Sequence, residues 1–259
     1  MRNSIITQAT HPMNISVWIL VLANLAIACG TMVQTTVGFG LSMVALPLLL
    51  SLDKRLAPGP LLISGIFLLV ALTSMDRADV QREPLLIALA AAVPGTVVGV
   101  AALALLSPLS MTVITALVLV FTTVIAARRV PLHGGAFNIF IAGLISGFCG
   151  TTTSINGPPM VAVMAGSYPI TQVRATVVSF LLFSSLISLV GLALGHQLTM
   201  ESLYLALAIT PGLFIGVFVS RRWLRDAASR MAPRTLFLGA SSTALAIFIA
   251  REVWRYSQG

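Results

Sequence analysis

The chain has 259 residues, of which 58% are hydrophobic and 8% are charged, and its formal net charge is +8. Soluble globular proteins have about 25% charged residues, so this composition excludes a water-soluble domain and indicates a protein of the lipid bilayer. The positive charge does not indicate nucleic-acid binding, because the arginines are spread over short loops instead of clustering on one face.

Eight hydrophobic blocks follow one another along the chain, and most of them approach the roughly 20 apolar residues that cross a bilayer. Their approximate bounds are 14–51, 56–75, 84–106, 109–127, 136–167, 173–194, 201–220 and 233–251. This pattern predicts an all-α polytopic membrane protein that forms one transporter domain, residues 1–259. Blocks one and five are longer than a single span, and small and polar residues interrupt each of them.

The two interruptions match each other at a fixed spacing. Residues 35–45 read TTVGFGLSMVA and residues 152–162 read TTSINGPPMVA, so Thr35, Gly40 and Met43-Val44-Ala45 recur 117 positions later. The same spacing relates Pro94-Gly95 to Pro211-Gly212, and Gly99 to Gly216. One register over more than sixty residues predicts an internal duplication, with repeat 1 at about 14–127 and repeat 2 at about 131–251.

Block five fits a re-entrant hairpin better than a straight span. From Phe137 to Phe148 there are twelve residues, or about 18 Å of helix, little more than half of a bilayer core of about 30 Å. We therefore expect a helix that enters the membrane, breaks at Thr151–Pro159 and returns. The matching break predicts the same hairpin in block one.

Loop charge predicts how these hairpins lie in the membrane. With hairpins in blocks one and five, ten of the fifteen basic residues share one side, which the positive-inside rule assigns to the cytoplasm. Both termini are then periplasmic. Each repeat contains a hairpin and three transmembrane helices, and this odd number of crossings predicts two inverted repeats about an axis in the membrane plane.

The breaks carry the groups that favour a substrate site. A new helix begins after each break, and its first N–H groups lie at the positive end of the helix dipole, where anions bind. The candidate substrate-binding residues are Gln34, Thr35, Thr36, Gly38, Phe39, Gly40, Thr151, Thr152, Thr153, Ser154, Asn156, Gly157 and Pro158. The alternative is that these small residues only allow helices to pack closely, as they do in many membrane proteins.

The ionisable residues favour an anion over a cation. Every Asp and Glu falls in a predicted loop or at a block edge, so the intramembrane carboxylates typical of cation sites and proton relays are missing from the pattern. Arg174, at the start of block six, is either a guide for anions or an anchor at the interface. No Ser–His or Asp–Asp pair lies at membrane depth, so we expect no catalysis, no metal and no cofactor.

These motifs resemble the TauE/SafE sulfite exporter family, also called the 4-toluene sulfonate uptake permease family. The resemblance covers nearly the whole chain and rests on Gly147-Phe148-Cys149-Gly150 before Asn156-Gly157-Pro158-Pro159, on Pro169 with Arg174-Ala175-Thr176, and on Gln34, Gly38-Phe39-Gly40 and Pro47. Many members have more glycines in the second motif, where this chain has Thr151-Thr152-Thr153-Ser154. The resemblance implies transport of sulfur oxyanions or organosulfonates.

The combined prediction is a permease of the bacterial inner membrane that moves a small anion by alternating access. Sulfite, an organosulfonate or a related sulfur oxyanion or carboxylate is the expected substrate. The expected partners are this anion and the lipid bilayer, with a homodimer left open. Two alternatives stay open as well: a permease or channel for a neutral or other organic solute, and a membrane subunit that transports nothing by itself.

Overall fold

The computed structural model describes residues 15–75, 77–127 and 134–224. Within these ranges the chain forms α-helices and short helical turns, without a strand. The helices are α1 (Val17–Val37), α2 (Leu41–Leu52), α3 (Gly59–Met75), α4 (Arg82–Leu105), α5 (Pro108–Ala127), α6 (Ala136–Thr153), α7 (Gly157–Met164), α8 (Ile170–Leu194) and α9 (Met200–Val219). The eighth hydrophobic block, 233–251, and both termini lie outside the described residues.

The all-helical, multi-pass membrane class is confirmed. Six helical segments are long and apolar enough to cross a bilayer, namely Val17–Val37, Lys54–Met75, Arg82–Leu105, Ala136–Thr153, Ile170–Leu194 and Met200–Arg222. Their outward faces carry large apolar side chains such as Trp18, Phe137 and Phe214, each about 70% exposed or more. A face of this kind is stable in lipid, whereas in water it would be an aggregation site.

Both breaks are shorter than predicted. Helix α1 continues to Val37 and α6 to Thr153, so residues 38–40 and 154–156 alone interrupt the helices, and the predicted break at Thr151–Pro159 is too long. The threonines stay helical because their hydroxyls donate to carbonyls one turn back, for example Thr151 to Gly147 at 2.8 Å and Thr153 to Cys149 at 2.7 Å. Helix α6 is therefore 18 residues long, not the twelve used for the hairpin estimate.

Helix α2 turns back along α1. Gly30 lies in α1 about two turns before its end, and a Cβ placed there would meet the carbonyl oxygen of Leu41, the first residue of α2, at 2.6 Å. Only glycine allows this close approach.

Helix α9 runs beside α1 in the same direction. The Oδ1 of Asn24 accepts a hydrogen bond from the Gly212 N–H at 2.6 Å, and the hydroxyls of Thr35 and Ser220 lie 2.6 Å apart further along both helices. A Cβ on Gly216, between these points, would meet the carbonyl of Ala28 at 2.6 Å. The two helices are thus in close contact over most of their length.

Helix α4 packs against α6 and runs parallel to it. The contact is formed by two glycines of α4 that are equivalent, in the 117-residue register, to two glycines of α9. A Cβ on Gly95 would overlap the carbonyl of Leu144, and one on Gly99 would lie 2.9 Å from the Cβ of Thr151. Gly95 and Gly99 precede Gly212 and Gly216 by 117 residues. The α4–α6 crossing therefore uses the same glycine pair as the α1–α9 crossing.

The two ends of the bundle are identified by two cavities. Thr36, Met75, Arg174 and Arg221 surround a cavity at one end, here called the Arg174 end, where α1, α3 and α9 finish. The second cavity defines the Arg55 end, where α4 and α8 finish; its lining includes Arg55, Leu103, Leu192 and Thr199. Because α6 runs parallel to α4, it points towards the Arg55 end, opposite to α1.

Candidate functional site

The two breaks touch each other in the buried interior of the bundle. A Cβ placed on Gly157, in the second break, would lie 3.0 Å from the Cβ of Phe39 in the first. Around this contact lies a cavity, here called the central cavity, lined by both breaks and by parts of α3 and α8. The cavity has a volume of about 40 Å³, enough for about three water molecules.

The side chain of Gln34 holds the first break together. Its Nε2 donates to the Gly38 carbonyl at 3.1 Å, and its Oε1 accepts from the Leu41 N–H at 3.0 Å. The chain between them needs glycine, because Gly38 and Gly40 have φ angles of 93° and 120°, where side chains cause strain. Gln34 is buried, so these two bonds fix the direction of the first turn of α2.

The start of α2 lies at the central cavity. The Leu41 N–H donates to the Gln34 side chain. The first main-chain hydrogen bond of the helix joins the Val44 N–H to the Gly40 carbonyl at 3.2 Å. The N–H groups of Ser42 and Met43 lie between these two and have no acceptor within the helix. Both residues line the cavity, so the positive end of a twelve-residue helix lies beside it.

The second break contributes differently, because α7 begins with Gly157-Pro158-Pro159. Proline has no N–H, so the first turn of α7 offers fewer donors than that of α2. Its polar contribution comes from Asn156, which is 5% exposed and donates from Nδ2 to the Ser184 hydroxyl at 2.7 Å. The hydroxyl of Ser154 is used elsewhere, since it donates to the Pro58 carbonyl at 3.1 Å.

Helix α8 supplies cavity residues that the sequence analysis did not select. Ser185 lines the cavity and lies 3.4 Å from the Nδ2 of Asn156, and Ser184 is the main partner of that amide. A signal was present in the sequence, because Ser184, Ser185 and Ser188 lie on one side of a mainly apolar block. Buried hydroxyls at helical spacing in a membrane helix often face other polar groups.

The fourteen residues predicted from the sequence separate into two groups. The central cavity is lined by Gln34, Phe39, Gly40, Ser154, Asn156, Gly157 and Pro158. The others lie outside its lining: Thr35, Thr36, Gly38, Thr151, Thr152, Thr153 and Arg174. The five threonines donate to main-chain carbonyls of their own helices.

Arg174 lies beyond the first break, at the Arg174 end of the bundle. Its Nη2 donates to the Thr35 carbonyl at 3.3 Å. This carbonyl is in the last turn of α1, where carbonyls have no N–H donor within the helix. Its aliphatic part covers Gly38, since a Cβ there would meet the Arg174 Cγ at 2.9 Å. Arg174 thus contacts the back of the break, on the side away from the central cavity.

The central cavity is neutral. Among the described residues that line it there is no Asp, Glu, Lys or Arg, and in the described part of the chain no group of three or more His, Cys, Asp or Glu is placed to hold a metal ion. The positive ends of α2 and α7 both face it, so the electrostatic potential there favours negative charge. The arrangement suits a small anion held by N–H groups and hydroxyls.

Comparison with known proteins gives one match. A protein-family model described as "Sulfite exporter TauE/SafE" matches residues 22–249, a range that includes both breaks and every helix from α2 to α9. Neither the search of curated proteins nor the search of solved structures found a match.

Proposed function

Because the chain belongs to the TauE/SafE sulfite exporter family, we propose that it transports a small sulfur-containing anion and binds it in the central cavity. The family implies a membrane transporter of sulfur compounds. Within that class, the proposed substrate is sulfite, an organosulfonate or a related oxyanion or carboxylate. Gln34 and Asn156 position the two breaks around the anion, and the Ser42 and Met43 N–H groups contact it.

The observation that carries the proposal is the meeting of two helix N-termini at one small neutral cavity. Carboxylates lie at helix ends in the described chain, for example Asp53, Glu83 and Glu201, away from the cavity lining. A cation bound there would lie between two positive helix ends without a compensating charge. An anion would be stabilised by both.

Alternating access between two inverted repeats is the proposed mechanism. Helices α1 and α6, 117 residues apart in register, run in opposite directions, and the crossings α1–α9 and α4–α6 use equivalent glycines. These relationships support an inverted repeat in which one half rocks against the other. The Arg174 end, with Arg77, Arg82 and Arg221 near it, is proposed to face the cytoplasm of a bacterial inner membrane.

The test is flux in proteoliposomes that contain the purified protein. We expect uptake of labelled sulfite or methanesulfonate that is saturable and that an excess of the other anion inhibits. A neutral molecule of similar size, such as dimethyl sulfone, should neither compete nor be transported. Transport of the sulfone alone would instead support a carrier of neutral solutes, which the uncharged lining of the cavity also allows. Absence of any flux would favour the non-transporting subunit.

A further inference from the structure

Helix α3 forms an apolar wall of the central cavity. Four of its residues line the cavity, namely Leu61, Leu62, Gly65 and Leu69. Their spacing of three or four residues places them on one face of the helix. The polar side chains of the lining come from the two breaks and from α8: Gln34, Ser42, Ser154, Asn156 and Ser185. A ligand in the cavity therefore meets polar groups from the breaks and α8, and hydrocarbon from α3.

Gly65 leaves space in this apolar wall. The residue is buried, yet a Cβ placed on it would come within 4 Å of one described atom outside the backbone of its own helix, the Leu41 Cδ2 at 3.5 Å. That separation is an ordinary van der Waals contact. Because Gly65 also lines the cavity, the volume that a side chain would fill at this position belongs to the cavity.

Close helix packing does not explain this glycine. At Gly30, Gly95 and Gly212 a Cβ would overlap a main-chain carbonyl, so glycine allows helices to approach each other there. At Gly65 an alanine would fit against Leu41, and glycine in a helix interior is less stable than alanine. Glycine at this position thus lowers helix stability without allowing a closer helix contact, and what it provides is space at the cavity.

We propose that Gly65 determines the size of the substrate, and that the space beside it holds the one- or two-carbon substituent of a short alkylsulfonate. The inference rests on the proposed function and names the substrate class within it. The sulfonate group binds at the breaks, and the alkyl group lies against the leucines of α3. The cavity volume of about 40 Å³, room for about three water molecules, excludes an aryl or long-chain sulfonate.

A series of anions that share one charged group tests this proposal. Sulfite, methanesulfonate and ethanesulfonate each have three oxygens on sulfur and differ by one carbon at each step. The Kd of each anion for the purified protein is measured by isothermal titration calorimetry, which does not depend on transport. We expect Gly65→Ala to raise the ratio of the ethanesulfonate Kd to the sulfite Kd by at least about tenfold, the effect of one methylene group in an apolar pocket.

Gly135→Ala is the matched control for the added methyl group. Gly135 does not line the central cavity, and no described atom lies within 4 Å of its Cβ position. The ratio of the two Kd values in this variant should equal that of the wild type.

Leu69→Val changes the same wall in the opposite direction, because it removes one carbon atom one turn away from Gly65. We expect it to lower the Kd of propanesulfonate relative to that of sulfite by about fourfold, the value of one buried methylene group. Distortion of the fold would weaken binding in both variants, whereas the proposal requires opposite shifts. Leu69→Val also tests the proposal if Gly65→Ala does not fold.

A ratio that is the same in Gly65→Ala as in the wild type would overturn the role of Gly65. Equal weakening of all three anions by Gly65→Ala would overturn it too, because it indicates a general distortion of the cavity. Wild-type binding of sulfite without binding of either alkylsulfonate would overturn the substrate class and leave the proposed anion transport intact. If the wild type binds none of the three anions, the proposed function fails together with this inference.

Discussion

The side chain of Arg174 covers Gly38 at the back of the first break. A Cβ on Gly38 would lie 2.9 Å from the Arg174 Cγ, and the Arg174 guanidinium donates to the carbonyl of Thr35 at 3.3 Å. One arginine from α8 therefore contacts both the last turn of α1 and the glycine that ends it. This explains its place in the fold whether or not it also attracts anions.

We expect Gly38→Ala to destabilise the protein by about 1–2 kcal/mol, because alanine is strained at a φ of 93°, and further through overlap with Arg174. Thermal unfolding in detergent, followed by tryptophan fluorescence, measures the effect. In the double variant with Arg174→Ala the overlap is gone, so the combined loss should be smaller than the sum of the single losses. Gly135→Ala is the control, since no atom lies within 4 Å of its Cβ position. If the stability losses of the two single variants simply add in the double variant, the overlap between the added Cβ and Arg174 does not contribute to the loss.

Two serines one turn apart on α8 test the lining of the central cavity. Ser185 lines the cavity, whereas Ser188 is equally buried but lies outside the lining, with its hydroxyl oxygen 3.0 Å from that of Thr151. We expect Ser185→Ala to reduce the kcat/KM for the transported anion by up to about tenfold, the value of one hydrogen bond, and Ser188→Ala to change it little. Matching losses in both variants would point to helix packing as the cause.

Asn156→Ala is expected to lower anion flux by about tenfold or more, because it removes the amide that joins the second break to Ser184 and faces the cavity. The protein should remain folded, as judged by size-exclusion chromatography and thermal unfolding. Normal flux in this variant would remove Asn156 from the site.

Gln34→Glu tests whether the transported species is an anion. Glutamate keeps an acceptor for the Leu41 N–H but adds a negative charge to the lining of the central cavity. We expect anion flux to fall more than about tenfold through charge repulsion in a buried site. Gln34→Met, which loses both hydrogen bonds without adding charge, is the control for structural damage. A neutral substrate would make the two variants equally impaired.

The α4–α6 and α1–α9 crossings should lose similar stability when the equivalent glycine of each is replaced by alanine. Gly95→Ala and Gly212→Ala each place a Cβ against a main-chain carbonyl, that of Leu144 and that of Asn24. We expect each to lower the free energy of unfolding by about 1–3 kcal/mol, as overpacking does. Gly65→Ala should cost less, because its Cβ would meet a side-chain atom of Leu41 at 3.5 Å, an ordinary contact. A large loss in only one of the pair would contradict their structural equivalence.

Much of this fold could be predicted from composition and internal spacing. The thickness of the bilayer sets the length of the apolar blocks. The 117-residue register predicted which two blocks are interrupted and where a new helix begins after each interruption, and the new helices begin at Leu41 and Gly157. The breaks were predicted too long because threonine looks like a helix breaker in the sequence. Its hydroxyl can bond the preceding turn, and the structure shows that it does so from Thr151 to Thr153.

The lining of the site was harder to predict, because it depends on which helices pack around the breaks. Gln34 and Asn156 followed from their places in the motifs, and both line the cavity. Leu61 comes from a separate block without a polar signal, and the serines around Ser185 indicated a polar side of α8 without specifying that it faces the breaks. Arg221 likewise reaches its cavity through a π-helical turn at the end of α9, a local geometry that apolar periodicity does not indicate.

The contact of Phe39 with Gly157 has a mechanical consequence. Each break packs against the other, so a displacement of one would be transmitted to the other through the Phe39 side chain. Under the proposed alternating-access mechanism, two separated breaks could open independently and leave a continuous leak across the bilayer. The Phe39–Gly157 contact would instead couple opening on one side to closure on the other.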